Sequence, residues 1–472
     1  MNNLNEQQIR FFKKNYLDTK SKSFCGHKWY YATVHLWMGE TQSCFHNPGH
    51  PIDLEEIKNN PSAIHNTKFK KSERAQMLRG ERPINCQFCW VIEESDPSAI
   101  SDRMRFSTLY SPDELDLAFN ADPESDVQLR ELEIAFDRTC QLACTYCSPY
   151  ISSSWARDIR QNGAYQDLKT NGADQYSSPQ DHTVKYSYND RENNPYIEAF
   201  FKWWETDLHK HLKSIHFTGG EPTMGGYLWR FLDWCGEQKE TSLETIGIIT
   251  NLSYDDSVVD KLIDHITRAK KNIKQIMVLV SIENIGDKAE YVRDGLDSKQ
   301  FEKNLTRLCL ESTVDRVYLQ STINAVSIDG YMEYLHWSKK FRENYEIRRK
   351  LNSYINFVRF PAFQNIFVLP QEKRDQYSNE IMQFVKDDEN IQYFKDDEVI
   401  LIKRLAEYLK TVEVPHKGIM FDEQTYDERK IEYIKPDLAQ DFKNFFTQFD
   451  KRRNKNFEKT FPNLAEWYRN IK

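Results

Sequence analysis

The chain has 472 residues and carries 64 basic and 72 acidic side chains, for a formal net charge of −8. This acidity argues against a general nucleic-acid-binding protein, and an aromatic content of 13% argues against a disordered chain. The sequence contains no apolar run of signal-peptide or membrane-spanning type, so we expect a cytoplasmic protein without a membrane partner. In the cytoplasm, clustered cysteines are metal ligands more often than disulfides.

The first 128 residues are rich in metal-ligating side chains and in Pro and Gly breaks, which predicts a Cys-rich metal-binding module with little regular structure. Its four cysteines are Cys25, Cys44, Cys86 and Cys89. Four thiolates complete a [4Fe–4S] cluster and leave no iron open. The alternative is structural zinc, held by the four cysteines or by fewer of them with a histidine. The candidate histidines are His46, His50 and His65.

Residues 129–370 alternate between short apolar runs and helix-like segments, which indicates a parallel β-sheet in an α/β fold. The predicted strands cover residues 132–136, 214–218, 245–250, 276–282, 316–324 and 354–360. Six such units form either a partial barrel or an open doubly wound sheet. A polar insertion is expected at about 152–210, and residues 371–472 are expected to form a helical tail that caps the domain and faces solvent.

Cys140, Cys144 and Cys147 form a C-x3-C-x2-C loop directly after the first of these strands. Three thiolates on a four-iron cubane leave one iron open to a substrate or cofactor. A closed zinc site needs a fourth ligand, and this loop contains none. In contrast, Cys235 and Cys309 lie in helical, apolar surroundings and are predicted to be core residues.

Further motifs follow the cysteine loop in a recognisable order. Gly219-Gly220-Glu221-Pro222 ends the second strand, Ser281 and Glu283 end the fourth, and the segment 290–295 contains Arg293. Together with Tyr146, which stands just before the last cysteine of the loop, these motifs resemble the radical S-adenosylmethionine (SAM) superfamily. The resemblance implies a partial (β/α)6 TIM-like barrel over residues 129–370. It also implies that the cofactor-binding residues are Tyr146, Gly219, Gly220, Glu221, Asn251, Ser281, Glu283 and Arg293.

In such an enzyme the amine and carboxylate of SAM chelate the open iron, and reductive cleavage yields a 5′-deoxyadenosyl radical that removes a substrate hydrogen. Glu221 is expected to pair with the ammonium group of SAM and Arg293 with its carboxylate. All of these residues follow the carboxyl ends of strands, where parallel α/β folds bind ligands.

The N-terminal module resembles the twitch/SPASM type of auxiliary-cluster module, although in many relatives that module follows the barrel. This resemblance implies a second [4Fe–4S] cluster and a peptide or protein side chain as the leading substrate class, with an external electron donor such as flavodoxin or ferredoxin. One alternative is radical modification of a nucleoside, nucleotide or other small molecule. The other is a zinc-stabilised interaction protein without enzymatic activity.

Overall fold

The computed structural model describes residues 4–95, 99–169, 174–177, 193–237, 240–411 and 438–471. Parts of the predicted insertion (170–173 and 178–192) and of the predicted tail (412–437) therefore lie outside the described residues. In the described part of the chain, no helix combines the length and the apolar character needed to cross a bilayer.

The fold is α/β and contains a nine-stranded, mostly parallel sheet, as the alternation of apolar and helical segments predicted. The strands are β1 (Tyr31–His35), β2 (Glu40–Gln42), β3 (His50–Pro51), β4 (Glu131–Ala135), β5 (Ala143–Cys144), β6 (Ser214–Thr218), β7 (Thr245–Thr250), β8 (Gln275–Ser281), β9 (Arg293–Asp294), β10 (Arg316–Ile323) and β11 (Leu351–Phe357). Their order in the large sheet is β11-β10-β8-β7-β6-β4-β1-β2-β3, and β5 pairs with β9 in a separate two-stranded sheet.

Helices alternate with these strands in the described part of the chain. The first eleven are α1 (Glu6–Phe12), α2 (Asp18–Lys20), α3 (His27–Tyr30), α4 (Leu54–Asn59), α5 (Lys68–Leu78), α6 (Gln87–Ser95), α7 (Asp102–Ser107), α8 (Pro112–Asn120), α9 (Ser153–Asn162), α10 (Asp174–Ser177) and α11 (Pro195–Thr206). The next seven are α12 (Tyr227–Glu237), α13 (Asp256–Ala269), α14 (Gly286–Val292), α15 (Ser298–Glu311), α16 (Tyr331–Phe341), α17 (Tyr345–Lys350) and α18 (Gln371–Lys386). The last five are α19 (Asp388–Ile391), α20 (Asp396–Lys410), α21 (Leu438–Arg453), α22 (Phe457–Thr460) and α23 (Pro462–Asn470).

The chain divides into two compact units, the first of which comprises Met1–Asp137, Lys185–Phe217 and Gln238–Ile246. Its N-terminal part contains α1–α8 and β1–β3, so the expectation of little regular structure there was wrong. Side-chain caps stabilise several of these short helices: Asn5 and Ser111 each form a reciprocal capping box. Within this unit β1 pairs in parallel with β4, whereas β1 and β2 are antiparallel.

The second unit comprises Arg138–Val184, Thr218–Glu237 and Gly247–Lys472. In it, β10 pairs in parallel with both β8 and β11. Along β8, Ile276, Val278 and Val280 are fully buried, whereas the residues between them are partly exposed. This alternation means that one face of the strand lies in the core. Cys235 in α12 and Cys309 in α15 are buried, which agrees with their predicted place in the core.

Candidate active site

The loop that carries Cys140, Cys144 and Cys147 is folded by local hydrogen bonds in the second unit. The N–H of Cys147 donates to the carbonyl of Cys144 over 3.0 Å, and the N–H of Cys140 donates to Ser153 Oγ over 3.0 Å. Residues Ala143–Cys144 form β5, whose register with β9 places Cys144 opposite Arg293. The middle of the loop is therefore held as a strand against the segment that contains Arg293.

The three thiol groups of this loop lie close enough to influence one another electrostatically. Burial raises the pKa of Cys140 to about 12, and the negative charge of Cys144 raises it as well. Burial also raises the pKa of Cys147, with further contributions from Cys144 and Cys140. The thiolate forms of this loop therefore need positive charge nearby, and Arg293 supplies part of it, because it lowers the pKa of all three thiols. Iron ions bound by the sulfurs are a further source, so the donor set fits an iron–sulfur cluster.

The Gly-Gly-Glu-Pro turn lies directly against the residues that precede Cys140. A side chain at Gly220 would bring its Cβ to within 2.6 Å of the backbone C and O of Arg138, and still closer to the carbonyl of Thr139. The N–H of Glu221 donates to that same Thr139 carbonyl over 2.6 Å. Gly219 has φ of 122°, a conformation that side chains other than hydrogen disfavour. Both glycines are therefore needed for the turn to contact the cysteine loop.

The carboxylate of Glu221 is buried and fully engaged by neighbouring groups. It accepts hydrogen bonds from the hydroxyls of Thr223 and Thr250, over 2.7 and 2.8 Å, and from the N–H of Asn251 over 2.7 Å. These bonds join the turn after β6 to the end of β7. The expected contact of Glu221 with an ammonium group stays a prediction, and the structure adds that this carboxylate fixes the relative position of two loops.

The side chain of Asn251 reaches the cysteine loop. Its Nδ2 lies 3.8 Å from Cys140 Sγ, and its Oδ1 accepts a hydrogen bond from Gln141 Nε2 over 3.0 Å. Gln141 also donates to the carbonyl of Ser253 over 2.6 Å. The end of β7 thus provides an N–H group next to the first sulfur of the loop.

Tyr146, Glu283 and Arg293 form a buried polar network beside the second cysteine. The guanidinium of Arg293 donates to Glu283 Oε2 over 2.6 Å and to the Tyr146 hydroxyl over 2.5 Å. Its Nη1 lies 3.7 Å from Cys144 Sγ. Burial opposes the positive charge, but Glu283, Tyr146 and Cys144 together outweigh it and raise the pKa of Arg293. Ser281, the last residue of β8, is partly exposed two positions before Glu283.

Three side chains that sequence reasoning did not identify bind the carbonyl groups of the cysteine loop. Trp155 Nε1 donates to the carbonyl of Cys144 over 2.8 Å, and Gln364 Nε2 donates to that of Thr145 over 2.7 Å. The hydroxyl of Tyr176 donates to the carbonyl of Cys147. These donors come from distant parts of the sequence, and no local sequence motif predicts them.

The C-terminal helix α21 packs against the same region, which corrects the prediction of a solvent-facing tail. Four phenylalanines of α21 are completely buried: Phe442, Phe445, Phe446 and Phe449. The rings of Phe445 and Phe449 pack against Trp155, and Arg453 Nε pairs with Asp294 in β9 over 3.0 Å. The four phenylalanines are spaced so that they lie on one face of a helix. This spacing is visible in the sequence and predicts a helix with one buried face.

In the first unit, Cys25, Cys44, Cys86 and Cys89 line a single cavity. Lys28 Nζ lies 4.0 Å from Cys86 Sγ. The same cavity is lined by Arg103, whose guanidinium pairs with Glu93 over 2.8 Å, and Lys28 forms a buried ion pair with Glu73. Two further polar side chains that line the cavity are Asn47 and Asp102.

The three histidines considered as zinc ligands are arranged differently from one another. His46 lines the cavity and pairs with Asp102 over 2.5 Å. His50 is bonded to Thr67 over 3.0 Å, and the buried His65 is bonded to the carbonyl of Trp29 over 2.8 Å. Only His46 of the three is therefore placed beside the four cysteines.

Within the ranges that the structure describes, no three His, Cys, Asp or Glu side chains are gathered closely enough to hold one metal ion. Neither a known protein-family model nor a curated protein matches this chain.

Proposed function

We propose that this protein is a radical SAM enzyme. The observation that carries the proposal is the convergence of separate motifs on one cysteine loop. The Gly-Gly-Glu-Pro turn contacts the residues before Cys140, Asn251 reaches the sulfur of Cys140, and Arg293 reaches that of Cys144. The motifs that carry the family resemblance in the sequence are therefore neighbours in space.

The strand order supports a partial (β/α)6 barrel. The strands β4, β6, β7, β8, β10 and β11 follow one another in the sheet in the same order as in the sequence. Each new strand is therefore added on the same side of the one before it. Right-handed crossovers that always step in the same direction put all of their helices on one face of the sheet. A sheet covered on one face curls towards a barrel, whereas a doubly wound sheet needs a reversal of strand order.

Cys140, Cys144 and Cys147 would hold a [4Fe–4S] cluster and leave one iron free for the amine and carboxylate of SAM. When bound, such a cluster would supply one electron to the sulfonium of SAM, which would break a C–S bond to give methionine and the 5′-deoxyadenosyl radical that takes a substrate hydrogen. Asn251 and Arg293 place N–H groups beside two of the sulfurs, where they stabilise the thiolate form.

The remaining site residues position these groups. Glu283 and Tyr146 fix the orientation of the Arg293 guanidinium, which keeps a buried positive charge ready for the carboxylate of SAM. Glu221 holds the turn after β6 against the end of β7, and the two glycines allow backbone to approach the cofactor closely.

The N-terminal cysteines would hold a second, auxiliary [4Fe–4S] cluster. A single tetrahedral zinc with Zn–S bonds of about 2.3 Å brings its four sulfurs to about 3.8 Å from one another. A cubane separates them further, because each sulfur binds a different iron. Four cysteines line one cavity, and we favour the cubane because four thiolates are its complete ligand set. The substrate class that the resemblance implies is a peptide or protein side chain.

The decisive experiment measures 5′-deoxyadenosine formed from SAM by anaerobically reconstituted protein under dithionite. We expect the unaltered protein to form it, and we expect no formation after simultaneous replacement of Cys140, Cys144 and Cys147 by alanine. The matched control replaces the core thiols of Cys235 and Cys309 by alanine and should retain cleavage. Cleavage that survives in the triple variant would refute the assignment of this loop.

A further inference from the structure

The sheet of the first unit has one apolar face and one polar face. On β4, Leu132 and Ile134 are buried, and Phe136, which follows the strand with the same alternation, packs on Phe200 and Phe201 of α11. Phe217 of β6 stacks on Phe136. Because side chains alternate along a strand, Glu133 of β4 and His216 of β6 must point to the opposite face.

The neighbouring strand β1 continues this polar face. Its register with β4 places Thr33 beside Glu133 and His35 beside Ala135. The three adjacent strands β1, β4 and β6 therefore present six polar residues on one side: Tyr31, Thr33, His35, Glu131, Glu133 and His216. We call this set the polar sheet face. It contains no lysine and no arginine.

Three of the six residues of the polar sheet face have hydrogen-bond partners within the protein. The hydroxyl groups of Tyr31 and Thr33 are bonded to each other over 2.9 Å, and Glu131 is bonded to the hydroxyl of Tyr110. The other half is Glu133, His35 and His216, which we call the unpaired trio. Among the described residues, Glu133 forms no ion pair and no hydrogen bond, and the buried His35 Nδ1 has no partner.

The electrostatics of the unpaired trio follow from burial alone. Burial raises the pKa of Glu133 to about 7, and no neighbouring cation counteracts it. Burial lowers the pKa of His35 to about 4 and also lowers that of His216, so both imidazoles are neutral at physiological pH. A carboxyl group without a partner thus lies on the same sheet face as two neutral rings, and all three side chains remain partly exposed.

The polar sheet face provides no internal cation for Glu133, whose pKa is shifted by burial alone. A ligand that brings its own positive charge would pair with the Glu133 carboxylate and satisfy the group that the fold leaves unpartnered. The two strands concerned lead directly into the candidate site: β4 precedes the cysteine loop, and β6 precedes the Gly-Gly-Glu-Pro turn.

We propose that the unpaired trio is a substrate-binding site and that Glu133 selects a substrate with a cationic side chain, such as the ammonium of lysine or the guanidinium of arginine. This inference rests on the proposed function, since it names the substrate class of the same enzyme. His35 and His216 complete the site as neutral hydrogen-bonding partners for the polar groups around the charge.

The test uses the full reconstituted chain with saturating SAM and the peptides acetyl-Ala-X-Ala-amide, where X is Lys, Arg, Gln, Glu or norleucine. Calorimetry should show that the Lys or Arg peptide binds at least about tenfold more tightly than the norleucine peptide, as a charge-assisted hydrogen bond predicts. Glu133→Gln should remove this preference. Glu131→Gln, on the same strand but bonded to Tyr110, is the matched control and should keep it.

Several results would overturn the inference. They are equal binding of all five peptides, a preference for the Glu peptide, and a cationic preference that survives Glu133→Gln. If Glu133→Gln weakens the binding of SAM itself as much as that of the peptide, the partner of Glu133 is the ammonium of SAM and the inference is also wrong. Formation of 5′-deoxyadenosine by the unaltered protein tests the proposed function separately, so either claim can fail while the other stands.

Discussion

The contact between the Gly-Gly-Glu-Pro turn and the cysteine loop makes Gly220→Ala an informative substitution. The new Cβ would lie 2.6 Å from both the C and the O of Arg138, and closer still to the carbonyl of Thr139. These neighbours are backbone atoms, which cannot rotate away as the end of a flexible side chain can. Ordinary van der Waals contact requires about 1 Å more, so the turn and the loop have to separate by about that distance.

The expected cost of this separation is about 1–3 kcal/mol, the range typical of an overpacked interior. It also stretches the 2.6 Å hydrogen bond between the N–H of Glu221 and the carbonyl of Thr139, the residue just before Cys140. A misplacement of about 1 Å near a reacting centre can lower the rate on the order of 10²-fold. We therefore expect Gly220→Ala to lose both iron retention and most SAM cleavage while the N-terminal cluster stays in place.

Gly226→Ala is the matched control for this prediction. It lies six residues further along the chain, and a Cβ added there meets no atom within 4 Å. The assays are iron and sulfide per chain, the visible absorbance of the cluster and the rate of 5′-deoxyadenosine formation. If Gly220→Ala and Gly226→Ala behave alike in all three, the close approach of turn and loop has no functional role and the reasoning is wrong.

Three further predictions concern the other sites. Cys86→Ala combined with Cys89→Ala should lower iron from about eight to about four atoms per chain, whereas about four irons and one zinc in the unaltered protein would favour structural zinc. Arg453→Ala removes one of the two ion-pair partners of Asp294 in β9 and leaves Lys455, and we expect faster loss of iron to a chelator because the cysteine loop is paired with β9. Glu133→Gln should stabilise the protein at pH 8 by about 2–3 kcal/mol and have little effect near pH 4.5. The sign follows because the pKa of Glu133 is about 7 in the folded state and about 4.3 in the unfolded state. As pH rises from the lower to the higher value, the free energy of unfolding of the unaltered protein falls, whereas that of the glutamine variant does not change for this reason.

Each of these predictions has its own control or contrary outcome. Unchanged iron in the double cysteine variant would mean that the N-terminal cysteines hold no cluster. Arg469→Ala, whose partner Glu458 is exposed, should leave iron retention unaltered, and equal retention in the Arg453 and Arg469 variants would argue against a role for α21. Thermal melts of Glu133→Gln that match the unaltered protein at pH 8 would show that Glu133 has a partner after all.

The strands of the parallel sheet could be predicted because their residues carry a strong local signal. The predicted ranges of β6 and β7 agree with the structure, those of β4 and β8 are shifted by one residue at both ends, and that of β10 is one residue too long. The sixth strand begins at Leu351 rather than at 354. It is at the edge of the sheet, where Tyr354 remains half exposed, and a strand covered on fewer sides shows a weaker apolar pattern.

Other parts of the structure depend on contacts that no local pattern encodes. The parallel pairing of β1 with β4 joins residues about one hundred positions apart, and the Pro and Gly residues around β1 suggested loops instead. The same holds for the carbonyl donors of the cysteine loop, since Gln364 is 219 positions from Thr145. Motif spacing identified the cysteines, but it could not identify the side chains that hold the loop in shape.

The two sets of cysteines share a pattern of charge that bears on their function. Arg293 lies beside Cys144 but is paired with Glu283, and Lys28 lies beside Cys86 but is paired with Glu73. Because a carboxylate already balances each buried cation, the protein alone does not neutralise either set of thiolates. Under the proposed function, the positive charge that the thiolates need would come from iron bound to the sulfurs, and metal affinity should therefore be coupled to their deprotonation. The number of thiolates would then separate the roles, since three would leave one iron open for SAM whereas four would close the cluster to ligands.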